Sequence, residues 1–443
     1  MKIWLTMLIA AISINLSANE LKLDNSLAYK LTESLTVEVG PRIAGSAADE
    51  RAVVWAEKNL TALGYDKVWR EAFDMPYWQR GAASLTVKAP FHQSLVVTAL
   101  GGSIATPVNG IDSNVVMFAS LEQLKQATAK NVKGKIVFIN TSMEKDQEGN
   151  FYGEVVGVRS QGAIEAAKLG AQAVIIRSVG TSLNRFAHTG VMRYSDKVTR
   201  IPAAAISVPD AIQLEKMLAL EPNLSLHLTM QNKLPGTVKS HNVIAEITGS
   251  TRPDEIVLIS AHLDSWDQGT GALDDAAGVG LVMAVGALIK QQGRPERTIR
   301  VVLFGNEEGG LLGAKAYAAK HANNLDKHVF ASESDFGADR IWRLDSGVGE
   351  KSLAFIADLH KKLAHLDISL GNNDAYGGPD VSVLKALGVP VVTLLQDGTD
   401  YFDYHHTAND TFDKVNAEAL AQNLAAWIIT TKAVANSDID LRQ

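Results

Sequence analysis

The chain contains no cysteine. Disulfides, thiolate zinc sites and cysteine nucleophiles are therefore excluded. It has no block of basic residues, and its formal charge of −7 opposes a nucleic-acid or anionic-membrane surface. It has no internal repeat and no low-complexity tract. Beyond its first residues no run reads as long and apolar enough to cross a bilayer. A soluble processed protein with no membrane span is expected.

What is present is ordinary globular material, 46% hydrophobic and 21% charged over 443 residues. That length is too great for one compact core, so two domains are expected. The N-terminus has the pattern of a secretory signal over residues 1–18. Lys2 supplies the charged start, Ile3 to Ile14 is a short apolar run, and Leu16-Ser17-Ala18 offers a small residue for cleavage. The protein is expected to be secreted or periplasmic. An exported chain without disulfides depends on its core and on bound metal for stability.

In residues 19–108, Gly40-Pro41-Arg42-Ile43-Ala44-Gly45-Ser46 forms a turn-rich lead-in. Ser46 with Asp49 and Glu50 predicts a helix start, and Gly64 its end. Val68 to Phe73 reads as a strand. Residues 109–234 have a different texture, with short buried strands at Val115–Phe118, Lys135–Ile139, Ala173–Ile176 and Ile201–Ser207. Helices are expected there at Gly162–Leu169 and Pro209–Leu218. This segment reads as a compact module inserted into a larger fold.

Residues 235–443 alternate strand and helix. Strands are expected at Asn242–Ile247, Glu255–Ala261, Ile299–Phe304, Val329–Ser332 and Val391–Leu395. Helices are expected at Ala276–Lys290, Leu311–Lys320, Lys351–Leu363, Val381–Leu387 and Ala417–Val434. The fold class is α/β, with a mixed central sheet covered by helices on both faces and a smaller inserted β-rich unit. The helix from Ala276 is apolar on nearly every side and belongs in the core.

The chemistry-bearing residues sit at the ends of these strands, where ligands bind in such sheets. His262, Glu307-Glu308 and Asp335 each follow a strand, Asp274 opens a helix, and His406 follows the last strand. Each has a plain structural alternative: Asp274-Asp275 as a helix cap, Glu307-Glu308 as a solvated turn, Asp335 as a loop start, His405 and His406 as surface residues. Their convergence on one rim favours a metal site. Imidazole with carboxylate suits zinc. Two ions bridged by a carboxylate polarise a carbonyl, and a nearby free carboxylate then moves protons. One of Glu307 and Glu308 fits that second task while its neighbour binds metal, because adjacent side chains in an extended segment point apart. His92, His188 and His227 lie outside the rim.

The run Ala261-His262-Leu263-Asp264, then Asp274-Asp275-Ala276-Ala277-Gly278, Asn306-Glu307-Glu308-Gly309, Ser334-Asp335 and His406-Thr407-Ala408-Asn409-Asp410-Thr411 resembles the M28 family of co-catalytic zinc peptidases. Within it, His262-Leu263-Asp264-Ser265-Trp266-Asp267, Glu333-Ser334-Asp335 and Tyr404-His405-His406 are similar to the carboxypeptidase Q branch. The resemblance covers nearly the whole processed chain and implies a zinc exopeptidase-like fold of the phosphorylase/hydrolase type. Val132 to Val137 and Ile201-Pro202-Ala203 make the insert resemble a protease-associated domain.

The resemblance implies two zinc ions per chain, bridged by Asp274. His262 and Asp335 complete one site, Glu308 and His406 the other. It makes Glu307 the general acid/base, has Asp264 orient His262, and places Tyr376 where some relatives steady an oxyanion. Asp380 and Asp410 are read as supporting residues or helix caps, and Asp274-Asp275 as a peptide bond often cis in the family. It implies a short peptide substrate with a free amino end, dipeptides above all, and a homodimer. Three other readings stand beside it. They are an aminopeptidase on longer chains, a glutaminyl cyclase-like acyltransferase with one zinc, and a non-enzymatic receptor-like binding protein.

Overall fold

The structure, a computed structural model, describes residues 24–443. The expected signal segment 1–18 lies outside the described residues.

Two eight-stranded mixed sheets organise the chain. In the larger, the strands run in the order Lys67–Gln79, Lys233–Ile247, Arg297–Phe304, Arg252–His262, His328–Glu333, Val391–Gln396, Ile341–Gly347, Ser369–Leu370. The four from Arg297–Phe304 to Val391–Gln396 are mutually parallel. Their residues alternate between two cores. Val257, Ile259 and Ala261 join one cluster, Ile256 and Leu258 another. A sheet buried on both faces needs such continuous apolar strands, which is why these segments read so clearly. The strand Ile341–Gly347 and the helix Leu27–Glu38 escaped the sequence reading. The strand carries Arg343 and Asp345 in its middle, so its apolar run is broken.

Ser46 caps the helix Ala47–Ala62, accepting from the amides of Ala48 and Asp49, and Gly64 closes it with φ 82°. The helix Ala277–Gln292 lies at the centre of the larger core, packed against Leu27–Glu38, Ala417–Ala435 and the strand Arg252–His262. The segment Ala272–Gln292 is in fact long and apolar enough to cross a membrane, contrary to expectation. Its most apolar window is wholly buried inside the protein, so a core position accounts for that composition.

The second sheet has the order Gln93–Leu95, Ala83–Val87, Ser225–Met230, Ile111–Phe118, Ile136–Ile139, Ala173–Arg177, Ala203–Ile206, Val97–Ala99. Its strands therefore begin at Ala83, earlier than the boundary expected at 109. Ala83–Val87 pairs antiparallel with Ser225–Met230, which draws the preceding segment into this sheet. The chain leaves and re-enters the larger sheet at paired residues, Gln79 opposite Lys233. The helix expected from Gly162 begins at Gly157.

Candidate metal centre

The site is assembled where the parallel strands end. His262 is the last residue of its strand, and Asp335 follows the strand His328–Glu333. Glu307 and Glu308 follow Arg297–Phe304 in a turn opened by Asn306, which takes the left-handed backbone at φ 58°. His406 follows the short helix Tyr401–Tyr404, also left-handed at φ 61°. Asp274 precedes the core helix, and the Asp274–Asp275 peptide bond is cis.

Asp274 stands between two pairs of side chains. Its Oδ1 lies 3.0 Å from His262 Nε2, and that nitrogen is 3.3 Å from Asp335 Oδ1. Its Oδ2 lies 3.2 Å from His406 Nε2, which is 3.0 Å from Glu308 Oε2. All five residues expected as ligands are thus brought together. Glu307 offers an oxygen within 4.8 Å of the His262 and Asp335 donor atoms. His405 is the unexpected neighbour. It is buried, stacks on His406 with ring centroids 3.5 Å apart, and places Nε2 3.7 Å from Asp274 Oδ2.

The surrounding bonds fix these groups. His262 donates Nδ1–H to the main-chain carbonyl of Asp264, at 3.0 Å. A carbonyl only accepts, so the ring's Nε2 presents a lone pair toward the carboxylates unless the ring is charged. Asp264 thus orients His262 through its backbone, with its own carboxylate farther off at 3.8 Å. That carboxylate accepts instead from the amide of Glu307, at 3.0 Å. Asp275 accepts from the amides of His262 and Gly278. Asp410 accepts from the amides of Ala272, Leu273 and Asp274, holding the backbone that aims Asp274. Buried Arg42 donates to the carbonyls of Leu263, Thr270 and Gly271, pinning the loop between His262 and Asp274. Asp380 is buried and both its oxygens accept no hydrogen bond.

The electrostatics call for cations. Burial, with repulsion from Asp335 and Glu308, pushes Glu307 well above the usual carboxylate range. Burial and the Asp335 charge push Glu333 up to about 8, and burial with the Asp274 charge pushes Asp410 up to about 7. Asp274 goes the other way despite its burial, held well below the usual range by the imidazoles of His262 and His406 beside it. Asp264 Oδ2, Asp274 Oδ2 and Glu308 Oε1 are buried and accept no hydrogen bond. Buried carboxylates in this number, with unpaired oxygens and two imidazole rings facing them, fit hard or borderline divalent ions.

These groups floor a cavity of about 580 Å³ lined also by Tyr152, Arg159, Arg193, Phe336 and Tyr376. Tyr376 is half exposed at this cavity, in a segment without regular structure. His188 donates Nδ1–H to the His405 carbonyl, 2.7 Å away, and so supports the loop from the second unit. His92 and His227 lie away from the cavity, on the second unit. Arg159 goes unmarked in the sequence and Arg42 reads only as part of the turn-rich lead-in, since contacts between distant segments leave no local pattern.

The profile of peptidase family M28 matches residues 242–431, the stretch that contains every one of the ligand candidates. Carboxypeptidase Q from Mus musculus is 35% identical over 93% of this chain and 86% of its own. Aminopeptidase YwaD from Bacillus subtilis (strain 168) is 29% identical over 95% of this chain and 82% of its own. The crystal structure of a peptidase M28 precursor from Shewanella amazonensis SB2B superposes with a TM-score of 0.93 at 52% identity, covering 94% of this chain and 95% of that one. On likeness of this extent in both sequence and fold, the chain belongs to peptidase family M28.

Proposed function

We propose that this chain is an exported co-catalytic di-zinc exopeptidase that hydrolyses dipeptides or short peptides with a free amino end. The observation that carries the reading is the division of Asp274. One carboxylate oxygen faces His262 and Asp335, the other faces His406 and Glu308. A bridging carboxylate with one imidazole and one further carboxylate on each side is the donor set of a paired zinc centre.

When bound, the two zinc ions polarise the scissile carbonyl and make water a nucleophile at neutral pH. Glu307 takes the proton of the attacking water and delivers it to the leaving amine. Its raised affinity for protons suits that exchange. The Asp264 carboxylate holds the Glu307 amide, so the base is fixed from the same residue whose carbonyl fixes His262. Tyr376 stands at the cavity mouth as the donor to the developing oxyanion. The second unit, read as a protease-associated domain, walls the cavity with Tyr152, Arg159 and Arg193. Export follows from the N-terminal pattern over residues 1–18.

The carboxypeptidase Q and aminopeptidase relatives both support an exopeptidase. The test is hydrolysis of a dipeptide beside a longer peptide with the same first residue. Faster cleavage of the dipeptide is expected. Equal or faster cleavage of the longer peptide would make the protein a broad aminopeptidase.

A further inference from the structure

The cavity has two chemically opposed sides. Its floor is the cluster of Asp274, Glu307, Glu308 and Asp335, and its wall carries two guanidinium groups, Arg159 and Arg193. Both come from the second unit, Arg159 from the helix Gly157–Lys168. Arg193 is anchored beside it by its own amide, which donates to the Ser160 carbonyl. Neither guanidinium pairs with a carboxylate among the described residues.

Arg159 is 5% exposed, and its Nε has no acceptor. Its Nη2 donates to the Tyr152 hydroxyl at 2.6 Å, and its Nη1 reaches the Thr189 carbonyl only at 3.5 Å. Nη1 also lies 3.3 Å from His406 Nδ1. If His406 Nε2 holds a metal, Nδ1 carries the ring proton, and a guanidinium has no acceptor to offer it. Space is reserved for this side chain. A Cβ on Gly190, whose φ is 128°, would stand 2.3 Å from Nη1. A buried cation kept beside a metal-binding imidazole without a counter-charge is costly. An anion arriving with the substrate removes that cost.

We infer that Arg159 and Arg193 bind the free C-terminal carboxylate of the substrate and so set its length. This rests on the peptidase reading above. One residue spans about 3.5 Å of extended chain, so a carboxylate held beside His406 leaves room for a single residue beyond the scissile bond. Guanidinium groups match a carboxylate through paired charge-assisted hydrogen bonds.

The test compares an alanyl dipeptide with its C-terminal amide on the zinc-loaded protein and on the R159Q and R193Q variants. The native protein is expected to prefer the free acid by tenfold or more in kcat/KM. Each variant is expected to cut that acid-to-amide ratio about tenfold, the weight of a charge-assisted contact. R193Q alters an exposed residue, so its folding is not at issue. A dipeptide analogue with a reduced peptide bond should show the same ratios in Kd on the metal-free protein. Equal rates on acid and amide in the native protein would overturn the inference while leaving the peptidase reading intact. A parallel fall on both substrates would overturn it too, reducing Arg159 to a support for His406. Hydrolysis of neither by the native protein would instead sink the peptidase reading.

Discussion

In the proposed mechanism two adjacent glutamates divide the work at the reacting atoms. Glu308 turns toward His406, at 3.0 Å, and Glu307 toward His262 and Asp335. Glu307→Gln is therefore expected to keep fold and metal while lowering kcat by about 10²-fold or more, as loss of a general base does. Zinc content and single-substrate kinetics on one preparation check it, and loss of zinc would mean that the two roles are exchanged. The sequence displayed His262, the Glu307-Glu308 pair and Asp335 because each stands at a strand end, a place that topology dedicates to binding. It could not display how they are held. Asp264 works through its main-chain carbonyl and gives its carboxylate to Glu307, which no residue spacing encodes. His405, written as part of a polar loop, is buried because the second unit closes over it through His188 and Tyr152.

Among the elements, the helix Ala277–Gln292 bears the most weight. It packs under the strand that ends in His262, and its N-terminus adjoins Asp274 and Asp275. Gly280 lets Leu27–Glu38 approach, since a Cβ there would stand 2.6 Å from the Ala28 carbonyl oxygen. Gly280→Val is expected to destabilise the protein by about 1–3 kcal/mol through overpacking, read as a lower denaturation midpoint. An unchanged midpoint would show that the helix pair has slack. The buried strands and this helix were legible because two-sided burial demands unbroken apolar runs. The boundary of the second unit was not, because Ala83–Val87 alternates as an edge-side strand does in either sheet, and only its pairing with Ser225–Met230 assigns it.

Across the whole molecule, charge links the site to stability. Burial lifts Asp49 to about 7, Asp410 to about 7 with Asp274 adding, and Glu333 to about 8 with Asp335 adding. In the unfolded chain such groups ionise near pH 4, at about 3.9–4.3. At these carboxyls the folded state therefore holds extra protons between these values, and their contribution to stability falls as pH rises through the window from about 4 to about 8. Buried His188 and His328, lowered to about 4, oppose it only below about pH 6.5. The metal-free protein should show a lower denaturation midpoint at pH 8 than at pH 5.5, and zinc should restore more at pH 8. A midpoint independent of pH in the metal-free protein would contradict this. Activity is expected to have the opposite sign in acid, because the imidazoles proposed as ligands must be neutral to bind metal.

The division of Asp274 between two half-sites is tested most directly by zinc counted per chain after reconstitution and dialysis, in the native protein and in Asp274→Ala. A bridging Asp274 predicts two equivalents in the native protein and loss of both in the variant. One equivalent in the native protein, or one retained at full affinity in the variant, would contradict it.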